Sequence, residues 1–404
     1  MPPSPDSERP SLRVHRDLRS LAERATPPLT FPAPELHAEG LEAGFFEGLP
    51  FRGCDTRVFY WRGVPAQARA ERAPAMVLVH GGGGTAFEAW VRLWTGRGYA
   101  AIAMDLNGCV PRGTMDAWEA HPSGGPLGCS SPGKDGLDQL TWPLEDQWGY
   151  HAVGAVILAH ALLRADPRVD PARIGLTGIS WGATLACITA AIDPRFRLVA
   201  PVYGCGFMFS PSSWFRADLD ALGDAALAER WASTWDPSNY LPEVRIPTLW
   251  VTGTNDYYPL DALWRSAAIT PARQQAAVRI RMPHAHEGPG ENPPEIKAFT
   301  DQLLRGGEPL SAIRTQEQHG RTVRARFEGP RRIVRAELCI TRDGAPDDWR
   351  DKHWEAHPAR VDVRPSEAAA DLPEGTAFCF MNLFDDEGHV VSAPVMPAHP
   401  TGAP

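Results

Sequence analysis

Short, mostly apolar runs separated by longer helical stretches mark the middle of this chain. Such runs occur at residues 75–80, 99–106, 173–178 and 248–253, with a weaker, more peripheral candidate at 278–282. Helical stretches lie between them, most clearly at residues 148–164 and 183–192. Strands that are apolar on both faces and alternate with helices are typical of a mostly parallel sheet with helices on both sides. In such sheets, ligands bind at the carboxyl ends of the strands.

The pattern changes after residue 304. Residues 321–329, 333–341 and 376–385 alternate apolar and polar positions, with Gly, Pro and Asp between them. Alternation with turn residues between the runs indicates antiparallel strands, as in a small β-sandwich or a β-rich appendage.

Three segments follow from these patterns. Residues 1–45 are rich in Pro, Glu and Arg and are expected to form an irregular leader. Residues 46–307 would form the α/β domain, and Gly306 and Gly307 a hinge. Residues 308–404 would form the β-rich accessory domain.

Composition narrows the function classes. The 404 residues are 43% hydrophobic and 22% charged, which is ordinary for a globular protein, and the net charge is −9. A negative balance argues against nucleic acid as a partner. No apolar run reaches membrane-spanning length, and the first twenty residues lack the apolar segment of a secretory signal. We therefore expect a cytoplasmic protein without a membrane partner. Formation of a homo-oligomer stays open.

The cysteine pattern favours reduced thiols. Seven cysteines make an odd count, and no CxxC pair is present. This fits neither a disulfide framework nor a zinc site. A single bridge, for example between Cys109 and Cys129, stays open.

The strongest motif is Gly178-Ile179-Ser180-Trp181-Gly182, between the run at 173–178 and the helical stretch at 183–192. A strand, a sharp turn and a helix are what a nucleophile elbow requires, with the serine exposed above the sheet. Because GxSxG strings also occur by chance, this placement carries the prediction that Ser180 is the nucleophile of an α/β-hydrolase fold.

A glycine run, His80 to Gly84, ends the first apolar run. Backbone N–H groups of Gly82 or Gly83, with that of Trp181, are the predicted oxyanion donors. Neither a GxxxxGK[ST] string nor a GxGxxG followed by an acidic residue is present, so a phosphate loop is disfavoured.

The acid and base should follow the serine in that order. Asp256 ends the stretch TLWVTGTND (248–256), just after the run at 248–253, and is the favoured acid, with Asp261 as the fallback. His284 and His286 follow the run at 278–282. We favour His286 as the base, because a few residues are usually left for the turn after this strand, and His284 then forms a wall of the site.

Several stretches resemble a known group of hydrolases. DPRVDPARIGLTGISWGATLA (166–186) resembles the nucleophile region of acetylxylan esterases and cephalosporin deacetylases, and it is similar to that of dienelactone hydrolases and prolyl-oligopeptidase-like enzymes. HAHEG (284–288) is similar to the GHE run that carries the deacetylases' catalytic histidine, which implies His286. VTGTNDYYP (251–259) resembles their strand-end acid motif. The resemblance covers roughly residues 75–304, and the chain departs from the deacetylases in having glycines where they place an oxyanion-loop tyrosine.

Aromatic residues close to these motifs could shape the substrate pocket. Tyr203 and Trp214 lie in a stretch, 201–215, that faces the site in such hydrolases, and an aromatic wall could stack on a sugar or aryl group. Most of the tryptophans are expected to fill the core. The Trp- and His-rich stretch at 347–361 is expected to pack against the hydrolase domain.

These inferences predict a serine esterase that uses Ser180, Asp256 and His286, requires no metal or organic cofactor, and acts on a small-molecule or carbohydrate ester, such as an acetyl ester. Three alternatives remain. A prolyl-oligopeptidase-like peptidase would lack its usual N-terminal propeller. A dienelactone-type hydrolase would use a cysteine where this chain has Ser180. An inactive hydrolase fold that serves as a binding module would have no need of a complete set of catalytic residues.

Overall fold

The computed structural model describes residues 9–24, 26–69, 71–121, 133–344 and 348–399. The helices are α1 (Pro10–Ala22), α2 (Glu88–Gly96), α3 (Trp148–Ala165), α4 (Trp181–Ile192), α5 (Phe215–Ala221), α6 (Ala225–Trp235), α7 (Leu260–Ile269), α8 (Glu287–Glu291) and α9 (Pro294–Arg305). The strands are β1 (Thr30–Pro32), β2 (Glu42–Glu47), β3 (Arg57–Gly63), β4 (Ala73–Val79), β5 (Ala100–Met104), β6 (Cys109–Thr114), β7 (Ala117–Ala120), β8 (Val169–Ile179), β9 (Val199–Val202), β10 (Thr248–Gly253), β11 (Gln274–Arg279), β12 (Ala312–His319), β13 (Thr322–Glu328), β14 (Ile333–Thr341), β15 (Trp354–Asp362), β16 (Glu367–Asp371), β17 (Phe378–Asp385), β18 (Val390–Ser392) and β19 (Met396–Pro397).

A nine-stranded sheet forms the centre of the molecule, in the order β1-β2-β3-β5-β4-β8-β9-β10-β11. The six strands from β5 to β11 in this order run parallel. Strands β1 to β3 extend the sheet with antiparallel pairs. The mostly parallel sheet predicted from the apolar runs is confirmed, and the weak run at 278–282 overlaps the end of the edge strand β11.

The two faces of this sheet belong to different parts of the core. Val77 and Val79 of β4 join one apolar cluster with side chains of α1, α3 and α4. Met76 and Leu78, which alternate with them, join a second cluster with side chains of α2 and α9. Because successive side chains of a strand point to opposite faces, a strand buried on both faces must be apolar throughout.

The C-terminal part is a separate antiparallel sheet, in the order β12-β13-β16-β15-β14-β17-β18, with β19 paired to β17. The predicted β-rich domain is confirmed, and the runs at 333–341 and 376–385 correspond to β14 and β17. This sheet meets the edge of the central one at β11. Val278 donates its N–H to Ser392 Oγ (2.8 Å), and its carbonyl accepts from Asn382 Nδ2 (2.9 Å). Two side chains thus cover backbone groups that an open sheet edge would expose.

An irregular leader was expected over residues 1–45, but the described part of it, residues 9–24 and 26–45, contains regular elements. Helix α1 buries Val14 and Leu18 in the core, and β1 pairs with β2. The spacing of Val14, Leu18 and Leu21 is that of one helix face, but the surrounding charges obscure it. At the predicted boundary near residue 308, α9 ends at Arg305 and β12 begins at Ala312.

The six described cysteines are free thiols, and Cys129 of the alternative Cys109–Cys129 bridge lies outside the described residues. Within the described ranges, no helix combines the length and the apolar character needed to cross a membrane.

Candidate active site

The carboxyl ends of neighbouring parallel strands form one edge of the central sheet, and the predicted residues come together there. Strand β4 leads into His80–Gly84, β8 into Ser180, β9 into Tyr203, β10 towards Asp256, and β11 towards His284 and His286. This is the edge at which parallel α/β sheets bind their ligands.

Ser180 occupies a strained turn between β8 and α4. Its φ of 55° and ψ of −120° are unfavourable for a residue with a side chain, at a cost of about 1–3 kcal/mol. The Ser180 N–H donates to the carbonyl of Val202 (2.8 Å), which holds the turn. A Cβ on Gly178 would lie 2.2 Å from the Gly182 carbonyl oxygen, and one on Gly182 would lie 2.1 Å from that of Val79. Any residue larger than glycine at position 178 or 182 would therefore prevent this turn, which is why the GxSxG motif has glycines on both sides of Ser180.

The glycine run after β4 is held from inside the protein by His80. This buried ring lies 2.7 Å through Nδ1 from the Gly81 carbonyl oxygen, and its Nε2 accepts the N–H of Leu106 (3.0 Å). Because Nε2 is an acceptor, the proton of the neutral ring belongs on Nδ1, which donates to Gly81. Burial lowers the pKa of His80 to about 3, so the ring stays neutral at ordinary pH.

The predicted oxyanion donors lie on this run and at the start of α4. The N–H groups of Gly81 and Gly84 are engaged, by His286 Nε2 (3.0 Å) and by the Gly81 carbonyl (3.2 Å). Gly82 and Gly83 lie between them. Gly82 packs closely against the Trp181 ring. A Cβ added to Gly82 would lie 2.9 Å from Trp181 Cδ1.

Gly83 has a φ of 69°, and its carbonyl accepts from Asp116 N (3.0 Å) and Trp118 Nε1 (2.8 Å). The β6–β7 hairpin thus supports the outer side of the glycine run.

Asp256 pairs with His284. Its carboxylate is buried, with Oδ2 2.9 Å from His284 Nδ1, while Oδ1 accepts the N–H of Tyr258 (3.0 Å). Bonded to a carboxylate, Nδ1 carries the proton and leaves Nε2 as the acceptor. The fallback acid, Asp261, lies in the first turn of α7, where it accepts from Ser212 Oγ (2.9 Å).

His286, the base favoured from the sequence, has other partners. Its Nδ1 lies 3.2 Å from Glu291 Oε1 on α8, and its Nε2 accepts the Gly81 N–H. The ring centroid lies 4.6 Å from that of Phe87. The geometry therefore favours His284 over His286 as the partner of Asp256, which reverses the preference drawn from the sequence.

Tyr203 supports His284 from the side. It follows β9 with a φ of 55°, and its ring centroid lies 4.7 Å from that of His284. Its hydroxyl donates to the Pro283 carbonyl (2.7 Å), and burial raises the pKa of Tyr203. Tyr203 therefore orients the histidine loop as a neutral phenol.

Trp181 anchors an aromatic cluster behind the elbow. Its ring lies edge-on to Trp148, Trp214, Phe215 and Trp231, at centroid distances of 5.3–6.5 Å. The cavity beside this cluster holds about 20 Å³, space for little more than a water molecule. Trp214 is also linked, through Tyr257, towards His284.

The C-terminal domain touches the loop that carries Asp256. Asn255 Nδ2 donates to the carbonyls of Arg350 (2.8 Å) and Lys352 (2.7 Å), and the Arg350 guanidinium lies 5.6 Å from the Tyr257 ring. The Trp-rich stretch is largely packed: Trp349 and Trp354 share a small core with Leu260 and Val278, among others.

Sequence reasoning missed Glu291 and Asn255. Glu291 follows a histidine by five residues without any motif, and Asn255 is hidden beside the more prominent Asp256. In the described ranges, no cluster of three or more His, Cys, Asp or Glu side chains is arranged to hold a metal ion.

Comparisons with known proteins agree with this architecture. Residues 43–210 match the acetyl xylan esterase (AXE1) family model, and residues 140–286 match the prolyl oligopeptidase family model. A search of the curated proteins finds no match to this sequence.

Among solved structures, the acetyl xylan esterase from Paenibacillus sp. R4 is similar, with a TM-score of 0.54 and 18% identity over 75% of this chain and 97% of that one. Acetyl xylan esterase 1 from Thermoanaerobacterium sp. JW/SL YS485 gives a TM-score of 0.52 and 16% identity over 73% and 98%. The structural likenesses show the fold, and the two family matches indicate a serine hydrolase of the α/β-hydrolase superfamily that is similar to the acetyl xylan esterases and acts on ester bonds.

Proposed function

We propose that this chain hydrolyses a short-chain carboxylic ester, such as an acetyl ester of a small molecule or carbohydrate, through an acyl-enzyme on Ser180. The observation that carries the proposal is the 2.9 Å hydrogen bond between the buried Asp256 and His284, at the sheet edge where Ser180 also lies. We assign His284, rather than His286, as the base.

In the first step, His284 Nε2 takes the proton of Ser180 Oγ as that oxygen attacks the ester carbonyl. The imidazolium that forms is stabilised by Asp256, which also holds the ring in the required tautomer. Burial of Asp256 strengthens this interaction, because little water competes for the carboxylate.

The tetrahedral intermediate requires donors for its oxyanion. Gly82 N–H and Trp181 N–H are the proposed pair, with Gly83 as the alternative on the glycine run. Both donors belong to rigid neighbours of Ser180, and such preorganised donors contribute about 3–4 kcal/mol each to transition-state stabilisation.

Collapse of the intermediate requires a proton for the leaving alcohol, and His284 supplies it. Water then attacks the acyl-enzyme with His284 again as the base, which releases the acid and restores Ser180.

The match to the acetyl xylan esterase family model supports the preference for a short acyl group. We therefore expect faster turnover of acetyl than of octanoyl esters of one alcohol.

The test is hydrolysis of p-nitrophenyl acetate, butyrate and octanoate, together with fluorophosphonate labelling, by the wild type, Ser180→Ala and Ser20→Ala. Ser20 is a matched control on α1, where its hydroxyl bonds the Asp17 carbonyl. Turnover and labelling that vanish only in Ser180→Ala support the proposal. Turnover that survives in Ser180→Ala contradicts it, and a folded wild type with neither activity favours a binding module.

A second candidate function is a peptidase, because residues 140–286 match the prolyl oligopeptidase family model. Aminoacyl p-nitroanilides test it with the same variants. Ser180-dependent cleavage of the anilide at a rate close to that of the ester would favour the peptidase.

A further inference from the structure

A second histidine–carboxylate pair lies beside the proposed triad, and the mechanism above leaves it unused. His286 and Glu291 are both largely buried, with side chains 10% and 9% exposed, and their closest atoms are 3.2 Å apart. The other ring nitrogen of His286 accepts the N–H of Gly81 at 3.0 Å. This pair thus connects a short helix, α8, to the glycine run.

The hydrogen bonds favour one tautomer of this ring. Since Gly81 N–H is a donor, His286 Nε2 must be without a proton. A neutral ring then carries its proton on Nδ1, facing Glu291, so the carboxylate and the glycine amide favour the same tautomer.

The peptide planes of Gly81 are held at both ends. Its N–H, in the peptide bond from His80, donates to His286, and its carbonyl, in the peptide bond to Gly82, accepts from His80 Nδ1 (2.7 Å). Because a trans peptide is planar, the Gly82 N–H points away from the Gly81 carbonyl. The bonds to the Gly81 carbonyl, from His80 and from the Gly84 N–H (3.2 Å), therefore set the direction of the Gly82 N–H. His286 fixes the adjoining His80–Gly81 peptide plane, against which that carbonyl plane would otherwise rotate.

The position of Gly81 brings this arrangement to the nucleophile. A Cβ added to Gly81 would lie 3.2 Å from Ser180 Cβ and 3.3 Å from His286 Nε2. A small rotation of the Gly81 peptide would therefore move backbone atoms that lie directly beside Ser180.

We propose that His286, held by Glu291, is a positioning residue that fixes the Gly81 peptide and thereby aims the oxyanion donor of Gly82. The inference rests on the proposed function, because it assigns a role within the same site. His286 acts through the glycine run and exchanges no proton with the substrate.

Two variants of His286 distinguish the contribution of its acceptor atom from that of the imidazole ring as a whole. In His286→Gln, the side-chain oxygen can reach the place of Nε2 and accept from Gly81, whereas the shorter Asn of His286→Asn cannot. We expect His286→Asn to lower kcat for p-nitrophenyl acetate by about 10- to 100-fold with little change in KM, since a displaced donor acts on the transition state. His286→Gln should recover most of that loss.

Three further measurements accompany the rates. Fluorophosphonate labelling should fall in parallel with kcat, because the adduct is tetrahedral. The acid limb of the kcat/KM pH profile should keep its midpoint in His286→Gln, because the base is elsewhere. Hydrogen exchange of the Gly81 amide should be slow in the wild type and His286→Gln and fast in His286→Asn, whether or not the ester is hydrolysed.

Matched controls are available. His319→Asn removes an exposed histidine paired with Glu317 on β12 and should leave the kinetics unchanged. Glu291→Leu should resemble His286→Asn and replaces it if that variant does not fold, while Glu291→Gln keeps an acceptor for Nδ1.

Equal, wild-type kcat in His286→Asn and Glu291→Leu would overturn the inference. So would a loss above about 1,000-fold in both His286→Gln and His286→Asn, which would make His286 the base. Failure of the proposed function shows itself differently, as turnover that survives Ser180→Ala, and the Gly81 exchange measurement still tests the positioning role in that case.

Discussion

Two histidines on the segment after β11 each pair with a carboxylate, and the two pairs differ in how the fold brings them together. His284 reaches Asp256, a residue from the end of the neighbouring strand β10, whereas His286 reaches Glu291, five residues further along the same segment. The parallel register of β10 and β11, with Gly253 opposite Arg279, brings the first pair together. The second pair needs only the local turn into α8. The comparison teaches that a long-range pair connects two strand ends and so ties the proposed base to the sheet, while a local pair adjusts a loop.

The largest predicted difference is between the two carboxylates. Asp256→Asn should lower kcat/KM by about 10⁴-fold, because the amide supports the wrong His284 tautomer. Glu291→Gln, the same chemical change on the other pair, keeps an acceptor for His286 Nδ1 and should cost at most about tenfold. Steady-state hydrolysis of p-nitrophenyl acetate measures both variants, and similar losses would remove the distinction between the pairs.

A smaller effect is expected at the glycine run that the second pair supports. In Gly82→Ala, the new methyl would lie 2.9 Å from Trp181 Cδ1, so the loop must shift and its oxyanion donor with it. We expect kcat to fall by about 10²-fold. Gly96→Ala, where nothing lies within 4 Å of the new methyl, is the control and should match the wild type. An unchanged kcat in Gly82→Ala would argue against Gly82 as a donor.

The buried His80, which holds the glycine run from inside the protein, should make the free energy of unfolding depend on pH. Since burial lowers the pKa of His80 from 6.5 to about 3, the unfolded chain binds a proton before the folded one does as pH falls. Stability is therefore lost from about pH 6.5 downwards, by about 2 kcal/mol at pH 5 for this one group. Urea unfolding of the wild type and His80→Asn at pH 7.5 and pH 5 measures it, and equal pH dependence in both would contradict the assignment.

The smallest effect is expected where the C-terminal domain meets the acid loop. Asn255→Ala removes hydrogen bonds to the carbonyls of Arg350 and Lys352 next to Asp256, and we expect a two- to fivefold lower kcat/KM with a loss of about 1–3 kcal/mol in stability. Asn239→Ala removes two similar bonds, to Ala232 and Asp236, away from the acid loop. A lower melting temperature with unchanged kcat/KM is expected of this control, and the same result in Asn255→Ala would show that the junction only stabilises.

The sequence predicted the central sheet well, because strands buried on both faces must be apolar throughout. The elbow at Ser180 was equally accessible, since its glycines are demanded by contacts as close as 2.1 Å. Helix α1 was overlooked because only four apolar residues and a serine form its buried face, amid several charged residues. The outcome in each case, success or failure, depended on how strongly packing constrains the local sequence.

The choice between His284 and His286 lay beyond the sequence for a different reason. Both histidines follow the same strand within two residues, so their spacing from β11 hardly separates them. Which ring faces β10 depends on the course of the loop. That course is set by Tyr203 and Gly81, from two other segments, and by Glu291 on α8. No local pattern encodes such a convergence.

The most direct test of the central claim compares the same substitution at both histidines. The second-order rate constant for fluorophosphonate labelling of Ser180 is measured in the wild type, His284→Gln and His286→Gln, with the labelled peptide identified by mass spectrometry. The account predicts that labelling is nearly abolished in His284→Gln and largely kept in His286→Gln. Labelling that persists in His284→Gln and disappears in His286→Gln would contradict it and return the role of base to His286.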